Sequence, residues 1–99
     1  MADYDGLQSA IVEWADSISP LRQPKDAVVK LVSESSELLD AVLNKNRRQV
    51  AGELADVFFL LLDLADMYKL DLAEETWFKL NVNRERKWIE ENGVIRRIK

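Results

Sequence analysis

The sequence predicts an all-α fold of four helices, and three observations support this. Only three of the 99 residues are glycine and two are proline, which leaves few positions for the turns of a β protein. Apolar residues recur at steps of three and four along most of the chain, as they do on one face of a helix. Helix-capping residues precede the later apolar stretches. A chain of this length supports one core, so we expect a single domain over residues 1–99.

An apolar stripe at helical spacing predicts a first helix over residues 5–17. Its members are Leu7, Ile11, Trp14 and Ile18. Pro20 and Pro24 separate it from the next helix, because proline disfavours helical conformation in the residue before it. Pro24 also suits the first turn of a helix, and the apolar pattern that follows predicts a second helix over residues 24–43.

The third helix is predicted to begin at Asn46, which forms the sequence pattern of a capping box with Gln49, and to end near Tyr68. Its apolar residues occupy more than one face. The main stripe holds Val50, Leu54, Val57, Leu61 and Ala65, and the other faces hold Phe59, Leu60, Leu62 and Leu64. One small core cannot bury all of them, so we expect a second contact surface, most simply another copy of the chain.

A second capping box, Asp71 with Glu74, predicts a fourth helix that runs to about Asn92. Gly93 follows as a C′ residue that would end this helix. Residues 94–99 are basic and alternate poorly, which leaves two readings open, a mobile tail or an arm packed on a neighbouring chain.

The absence of cysteine and histidine narrows the chemistry. Without cysteine there is no disulfide, no thiolate zinc site and no thiol nucleophile. Without histidine, sites for zinc, haem or a di-iron centre that need an imidazole are disfavoured. Any metal must therefore be held by carboxylates.

Charge and hydropathy indicate partners and location. The net charge of −4 argues against non-specific nucleic-acid binding, although residues 31–75 are acidic and residues 84–99 are basic. Asp3 and Asp5 stand where a secretory signal would be basic, and the longest apolar run, residues 57–62, is too short to span a bilayer. We therefore expect a soluble cytoplasmic protein that binds neither nucleic acid nor a membrane.

Two pairs of acidic residues stand out. Glu34 and Glu37 are three residues apart on the second helix, and Glu53 and Asp56 are three apart on the third. Antiparallel packing of these helices can point all four carboxylates into one space, where they would repel one another unless a cation lay between them. Mg²⁺ is usually held in this way, by a few carboxylates, phosphate oxygens and water. The alternative is that the same residues form a solvated or salt-bridged helix face.

Three residues near these acids bear on the choice. Gly52 lies in the interior of the third helix, where glycine costs roughly 1 kcal/mol relative to alanine, which suggests that a backbone or a ligand approaches closely. Asp63 follows Asp56 by seven residues and Asp40 follows Glu37 by three, so either can extend the acidic seam.

Polar and aromatic residues provide candidates for substrate contacts. Lys79, Asn83 and Arg86 form one stripe on the fourth helix, which either meets phosphates or faces solvent. Lys30 either contacts a phosphate or pairs with the acid one turn later. The tryptophans Trp14, Trp77 and Trp88 are of a type that usually packs in a core or an interface, and of the three only Trp14 is favoured for contact with a nucleobase.

Three segments together resemble a known family. They are Lys30–Leu38, Gly52–Val57 and Lys79–Trp88. In this order they resemble the MazG-like pyrophosphohydrolases, whose motif is Glu-Glu-x-x-Glu followed, after a spacer, by Glu-x-x-Asp. The resemblance covers most of the chain.

The resemblance implies a four-helix fold that assembles as a homodimer or homotetramer, with active sites built from more than one chain. It also implies cleavage of a ribo- or deoxyribonucleoside triphosphate between its α and β phosphates, which yields a monophosphate and pyrophosphate. It implies Mg²⁺, for which Mn²⁺ can substitute, and triphosphate contacts at Lys79 and Asn83. The metal ligands carried over are Glu34, Glu37, Glu53 and Asp56.

On this hypothesis Mg²⁺ neutralises phosphate charge and acidifies the attacking water, while Lys79 and Arg86 stabilise the departing pyrophosphate. Glu34 or Glu37 takes the proton. Ser33 stands in place of the motif's first glutamate, so we expect metal binding to survive while the identity of the base stays open.

Two other functions fit the same sequence. A non-catalytic helical module would use the apolar third helix only to dimerise, and Mg²⁺ would not change its stability. A related pyrophosphohydrolase would share the acidic residues and act on dUTP or phosphoribosyl-ATP.

Overall fold

Four helices and a short β-hairpin make up residues 4–98, which are the residues that the computed structural model describes. In chain order they are α1 (Tyr4–Ile18), α2 (Pro24–Leu43), α3 (Arg47–Met67), α4 (Leu72–Arg84), β1 (Lys87–Glu91) and β2 (Val94–Ile98). The predicted four-helix architecture is confirmed. None of the helices within this span is both long enough and apolar enough to cross a membrane.

Side-chain hydrogen bonds begin α3 and α4 at the predicted residues. The side chain of Asn46 accepts a hydrogen bond from the backbone N–H of Gln49 at 3.1 Å, and that of Asp71 accepts one from Glu74 at 3.0 Å. Each bond satisfies an N–H at the start of a helix that has no partner within the helix. Pro24 is the first residue of α2, where its fixed φ suits the first helical turn.

The central helix is α3, which packs against both α2 and α1. Only residues 44–46 connect α2 to α3, so these two helices form an antiparallel hairpin. We call α1–α3, residues 4–67, the helical core. Its buried apolar residues are Ile11, Ala15, Ala27, Ala41, Leu62 and Ala65. Alanine is small enough to let helix backbones approach closely, and Leu62 is the large side chain that is fully buried among the described residues.

An ion pair with a buried carboxylate ties the loop between α1 and α2 to α3. The guanidinium of Arg22 donates two hydrogen bonds to Asp63, at 2.8 Å from Nε and 2.6 Å from Nη2, and a third to Asp16 at 2.7 Å. Asp63 is only 5% exposed. Its carboxylate is therefore committed to Arg22, and the prediction that Asp63 extends the acidic seam is wrong.

The fourth helix is shorter than predicted. It ends at Arg84 rather than near Asn92, and a β-hairpin follows it. Asn92 and Gly93 form the turn of this hairpin, with φ of 53° and 80°. Positive φ at both central residues is what a type I′ turn requires, and Asn-Gly is its preferred sequence. Gly93 therefore closes a hairpin and does not end a helix.

The two strands pair along their whole length. β1 and β2 are antiparallel, from Lys87 opposite Ile98 to Glu91 opposite Val94. Residues 94–98 are thus a paired strand, and the reading of this segment as a mobile tail is wrong. Lys99 lies outside the described residues.

The last helix and the hairpin, residues 72–98, form a region that we call the C-terminal region. Over its described length α4 has no buried residue, and Trp77, Phe78 and Ile95 are 63%, 66% and 74% exposed. A two-stranded hairpin by itself is marginally stable in water. Exposed apolar side chains in such numbers are typical of a surface that contacts another protein.

Candidate active site

Three glutamates from two helices converge in the α2–α3 hairpin, and we call them the glutamate cluster. Glu34 and Glu37 lie one turn apart on α2, and Glu53 lies on the antiparallel α3. Each offers a carboxylate oxygen, and these oxygens lie within 4.8 Å of one another. The i, i+3 spacing on α2 and the tight connection to α3 produce this convergence.

Two oxygens of the glutamate cluster are buried and accept no hydrogen bond from residues 4–98. They are Oε2 of Glu34 and Oε2 of Glu53. The other oxygen of Glu34, Oε1, lies 3.0 Å from Nζ of Lys30, one turn earlier on α2. A buried carboxylate oxygen without a donor opposes folding, so atoms of this kind often serve a ligand.

The carboxylates of the cluster have pKa values that are shifted in opposite directions. Lys30 lowers the pKa of Glu34, which therefore keeps its charge. Glu37 and Glu53, when protonated, can each donate a hydrogen bond to the Glu34 carboxylate. This interaction raises the pKa of Glu37. The same interaction, together with burial, raises the pKa of Glu53 to about 7. Without a further cation, part of the cluster therefore retains protons close to neutral pH.

The donor set fits the cation that the sequence predicts. Mg²⁺ and Mn²⁺ prefer oxygen ligands, and the cluster offers carboxylate oxygens from three side chains. The unpartnered Oε2 atoms of Glu34 and Glu53 are free to coordinate a metal ion. A divalent charge would also favour the ionised form of Glu53, whose pKa is raised by the hydrogen bond with Glu34, by burial and by the neighbouring carboxylates.

Asp56, the fourth predicted ligand, lies beside the glutamate cluster rather than within it. Its side chain is exposed, and its charge contributes to the raised pKa of Glu53. It lines a cavity of about 280 Å³, whose other lining residues are Trp14, Lys30, Glu34, Phe59 and Leu60. The carboxylates therefore stand at the edge of a space that is apolar on its other side.

Two aromatic rings form the apolar wall of this cavity. Trp14 and Phe59 pack edge to face, with ring centroids 5.4 Å apart. Trp14 is 57% exposed, so much of its side chain remains open to solvent. Sequence reasoning singled out Trp14 but not Phe59. The signal was present, because Phe59 follows Asp56 by three residues and so shares its helix face.

Lys79 and Asn83 lie on α4, whereas Arg86 follows the end of this helix at Arg84, so the prediction that all three share one helix is wrong for Arg86. Lys79 and Arg86 are exposed, and no hydrogen bond or ion pair among residues 4–98 joins Lys79, Asn83 or Arg86 to the glutamate cluster. The side-chain Oδ1 of Asn83 is buried without a hydrogen-bond partner in the same span, and its backbone carbonyl accepts a hydrogen bond from Nε1 of Trp88 at 2.8 Å. Among the described residues of one chain, Lys30 is therefore the predicted basic residue that contacts the glutamate cluster, and Lys79, Asn83 and Arg86 are not bonded to it.

The structure also bears on two other predictions, the close approach at Gly52 and the packing of Trp77. A Cβ added at Gly52 would meet nothing within 4 Å, so no described part of the same chain approaches it. A ligand or another chain could still do so. Trp77 lines an apolar cavity of about 470 Å³ between α4 and the helical core, and it is too exposed to count as a core residue of one chain.

Comparisons with known proteins identify the class. A family model described as the MazG nucleotide pyrophosphohydrolase domain matches residues 22–91. A protein of Cyanophage S-2L named dATP/dGTP diphosphohydrolase is 37% identical over 93 residues, which cover 93% of this chain and 85% of that protein. A protein of the same name from Salmonella phage PMBT28 is 38% identical over 83% of this chain, but the match spans only 27% of that longer protein.

A solved structure agrees with these relatives. It is described as the Cyanophage S-2L MazG-like pyrophosphohydrolase bound to dGDP and three catalytic Mn²⁺ ions per active site. It matches with a TM-score of 0.86 and 34% identity over the whole of both chains. The chain belongs to the MazG nucleotide pyrophosphohydrolase family. It is therefore an enzyme that hydrolyses a phosphoric anhydride bond of a nucleotide, as the resemblance implied.

Proposed function

We propose that the chain hydrolyses purine deoxynucleoside triphosphates to the monophosphate and pyrophosphate, with Mg²⁺ or Mn²⁺ as cofactor. The observation that carries this proposal is the glutamate cluster, in which two buried oxygens lack a donor within residues 4–98. Divalent cations held by carboxylates commonly bind the phosphates of a nucleotide as well. The relatives named for dATP and dGTP support the choice of a purine deoxynucleotide.

The proposed metal ligands are Glu34, Glu37, Glu53 and Asp56. When bound, the metal supplies charge neutralisation at the phosphates and a water that loses its proton more readily. Glu37 is the better placed of the two predicted bases, because its side chain is exposed whereas Glu34 is buried and paired with Lys30. The similar structure contains Mn²⁺, which supports Mn²⁺ as a cofactor, and Mg²⁺ suits the same oxygen ligands.

The cavity beside Asp56 is the proposed base pocket. Its apolar side is formed by Trp14, Phe59 and Leu60. Its charged side, which we call the carboxylate end, is formed by Lys30, Glu34 and Asp56. A wall of this kind binds a base by stacking and apolar contact rather than by reading its hydrogen-bonding edge. A purine has the larger face, so stacking favours dATP and dGTP over pyrimidine nucleotides.

The proposed active enzyme is a homodimer or homotetramer. Lys79, Asn83 and Arg86 make no hydrogen bond or ion pair with the glutamate cluster among the described residues of one chain. The helical core also exposes apolar side chains, on α2 for example, and the C-terminal region that carries these three residues has an exposed apolar surface of its own. A second copy can therefore cover that surface and deliver Lys79 and Arg86 to the pyrophosphate, with Asn83 as a further triphosphate contact. The cytoplasmic location expected from the sequence stays a prediction.

Product analysis tests the proposal. The protein is incubated with each common ribo- and deoxyribonucleoside triphosphate, dUTP and phosphoribosyl-ATP, in Mg²⁺, in Mn²⁺ and in chelator. We expect dAMP and dGMP with pyrophosphate, and no turnover in chelator. Glu53→Gln should be slower by on the order of a hundredfold, as for the loss of a group that holds a catalytic metal.

Glu13→Gln is the matched control, because it neutralises an exposed carboxylate on α1 that does not line the cavity beside Asp56. It should retain activity. Turnover of dUTP or phosphoribosyl-ATP alone would replace the proposed substrate with the related activity considered from the sequence. Turnover that is insensitive to chelator would contradict the metal-dependent reaction.

A further inference from the structure

Lys30 is the cation that contacts the glutamate cluster within residues 4–98. Its Nζ lies 3.0 Å from Oε1 of Glu34, and its side chain is 61% exposed while that of Glu34 is 8% exposed. Only the charged end of the lysine is therefore held, and it is held by the most buried carboxylate of the cluster. In this state the ammonium compensates a charge that would otherwise be buried without a partner.

A divalent cation in the glutamate cluster would compete with this ammonium. The Oε2 atom of Glu34 has no donor among the described residues. One carboxylate oxygen each from Glu34, Glu37 and Glu53 lie within 4.8 Å of one another. A metal ion bound by these carboxylates would therefore come close to the Lys30 ammonium. Because like charges a few ångströms apart repel each other, a bound metal ion favours the state in which Lys30 has left Glu34.

The Lys30 ammonium also has a second possible partner, a phosphate of the nucleotide. Lys30 lines the cavity beside Asp56, which is the proposed base pocket, at its carboxylate end. Its stem is flexible and carries three donors, and lysine is a common ligand of phosphate. The phosphates of a nucleotide held by a metal ion at the glutamate cluster would lie beside it.

We propose that Lys30 exchanges partners during the reaction cycle. It holds Glu34 before metal binds, it is displaced from Glu34 when the metal binds, and it then contacts a phosphate of the nucleotide. This inference rests on the proposed function, because it requires a metal ion and a nucleotide at this site. The exchange makes Lys30 a placeholder for the metal and couples metal loading to substrate binding.

The first test measures Mn²⁺ binding without nucleotide, by electron paramagnetic resonance of the free ion. Lys30→Met removes the competitor, so it should bind Mn²⁺ about two- to fivefold more tightly than the wild type, the range expected for an ion pair with one exposed partner. Lys25→Met is the matched control, because Lys25 is an exposed lysine on the same helix and lines no part of the cavity. It should leave Mn²⁺ affinity close to that of the wild type.

The second test measures binding of a non-hydrolysable dGTP analogue at saturating Mn²⁺. Here Lys30→Met should bind about tenfold more weakly than the wild type, because a charge-assisted hydrogen bond to phosphate is lost. The two effects of one substitution therefore have opposite signs. A purely structural role of Lys30 would not tighten metal binding.

Each outcome decides a separate point. Equal or weaker Mn²⁺ affinity in Lys30→Met would overturn the displacement, even if the wild-type enzyme hydrolyses dGTP. Equal affinity for the nucleotide analogue would overturn the phosphate contact. Should the wild type bind no Mn²⁺ and hydrolyse no nucleotide, the proposed function itself would fail and this inference with it.

Discussion

The helical core and the C-terminal region differ in how much of their stability one chain provides. The helical core buries Leu62, closes the ion pair of Arg22 with Asp63 and brings the glutamate cluster together. Over its described length, α4 of the C-terminal region buries no residue, and the hairpin exposes Ile95 to 74%. On the proposed function, the three glutamates of the cluster come together within one chain, whereas Lys79, Asn83 and Arg86 would reach them from a second copy.

Arg22→Met should cause the largest loss of stability. It leaves Asp63 buried without its partner, and breaking a buried ion pair from one side costs about 3–5 kcal/mol of unfolding free energy. Denaturant unfolding measures the loss. The matched control is Arg96→Met in the C-terminal region, because the pair of Arg96 with Glu91 is exposed and contributes about 1 kcal/mol or less. Equal losses in the two variants would contradict the contrast between the regions.

Leu62→Ala and Ile95→Ala compare apolar side chains of the two regions. Leu62 is 1% exposed, so its truncation should cost about 3 kcal/mol by lost burial and a cavity. Ile95→Ala should cost less than about 0.5 kcal/mol in dilute protein. It should instead weaken self-association, which sedimentation velocity over a concentration series detects. A large loss from Ile95→Ala at the lowest concentration would show that the hairpin is stabilised within one chain.

The metal-free protein should lose stability as the pH rises from about 4.5 through about 7. Glu53 has a pKa of about 7 in the folded protein and an ordinary value of 4.5, so the folded state binds this proton more tightly. Its stabilising contribution is complete below the unfolded pKa and is lost as the pH rises through the folded pKa. Glu37 acts in the same direction because its pKa is also raised.

Thermal unfolding in chelator across this pH range measures the effect. Glu34 acts in the opposite direction, since its pKa is lowered, and its contribution is lost only as the pH falls below its ordinary value. Glu53→Gln should flatten the profile, and saturating Mn²⁺ should make the wild type more stable at the alkaline end. A wild-type profile that is flat in chelator would count against close packing of the carboxylates.

Gly52→Ala should give the smallest effect. Alanine is favoured over glycine in a helix interior by about 1 kcal/mol at most, and the added Cβ meets no described atom within 4 Å. We therefore expect a small rise in the unfolding temperature of the dilute protein. Activity and self-association of the same variant are the second readout. If either falls while the stability of the chain rises, a ligand or a second chain approaches Gly52, as the sequence suggested.

The helical core was the part most readable from sequence, because its signals are local. Pro24 and the caps at Asn46 and Asp71 lie at or next to the ends of the helices they were expected to define. The hairpin was missed because Asn92-Gly93 fits both a helix end and a type I′ turn. The β-branched residues Val94 and Ile95 after the glycine favour the turn.

Those parts of the site that depend on residues close together in the sequence were predictable. The spacing of Glu34 and Glu37, with a tight connection to Glu53, was enough to predict the glutamate cluster. The partner of Asp63 could not be predicted in this way, because Arg22 lies 41 residues away in the sequence. On the proposed function, the place of Lys79 depends on a second copy of the chain, which no spacing within one chain encodes.

Activity of mixed oligomers is the most direct test of the claim that the two halves of the site come from different chains. Glu53→Gln and Lys79→Met should each be nearly inactive on dGTP. After subunit exchange in equal amounts, a twofold-symmetric dimer should recover about a quarter of wild-type activity, because about half of the dimers are mixed and each of these holds one intact site. No recovery, with exchange verified by native mass spectrometry, would contradict the account.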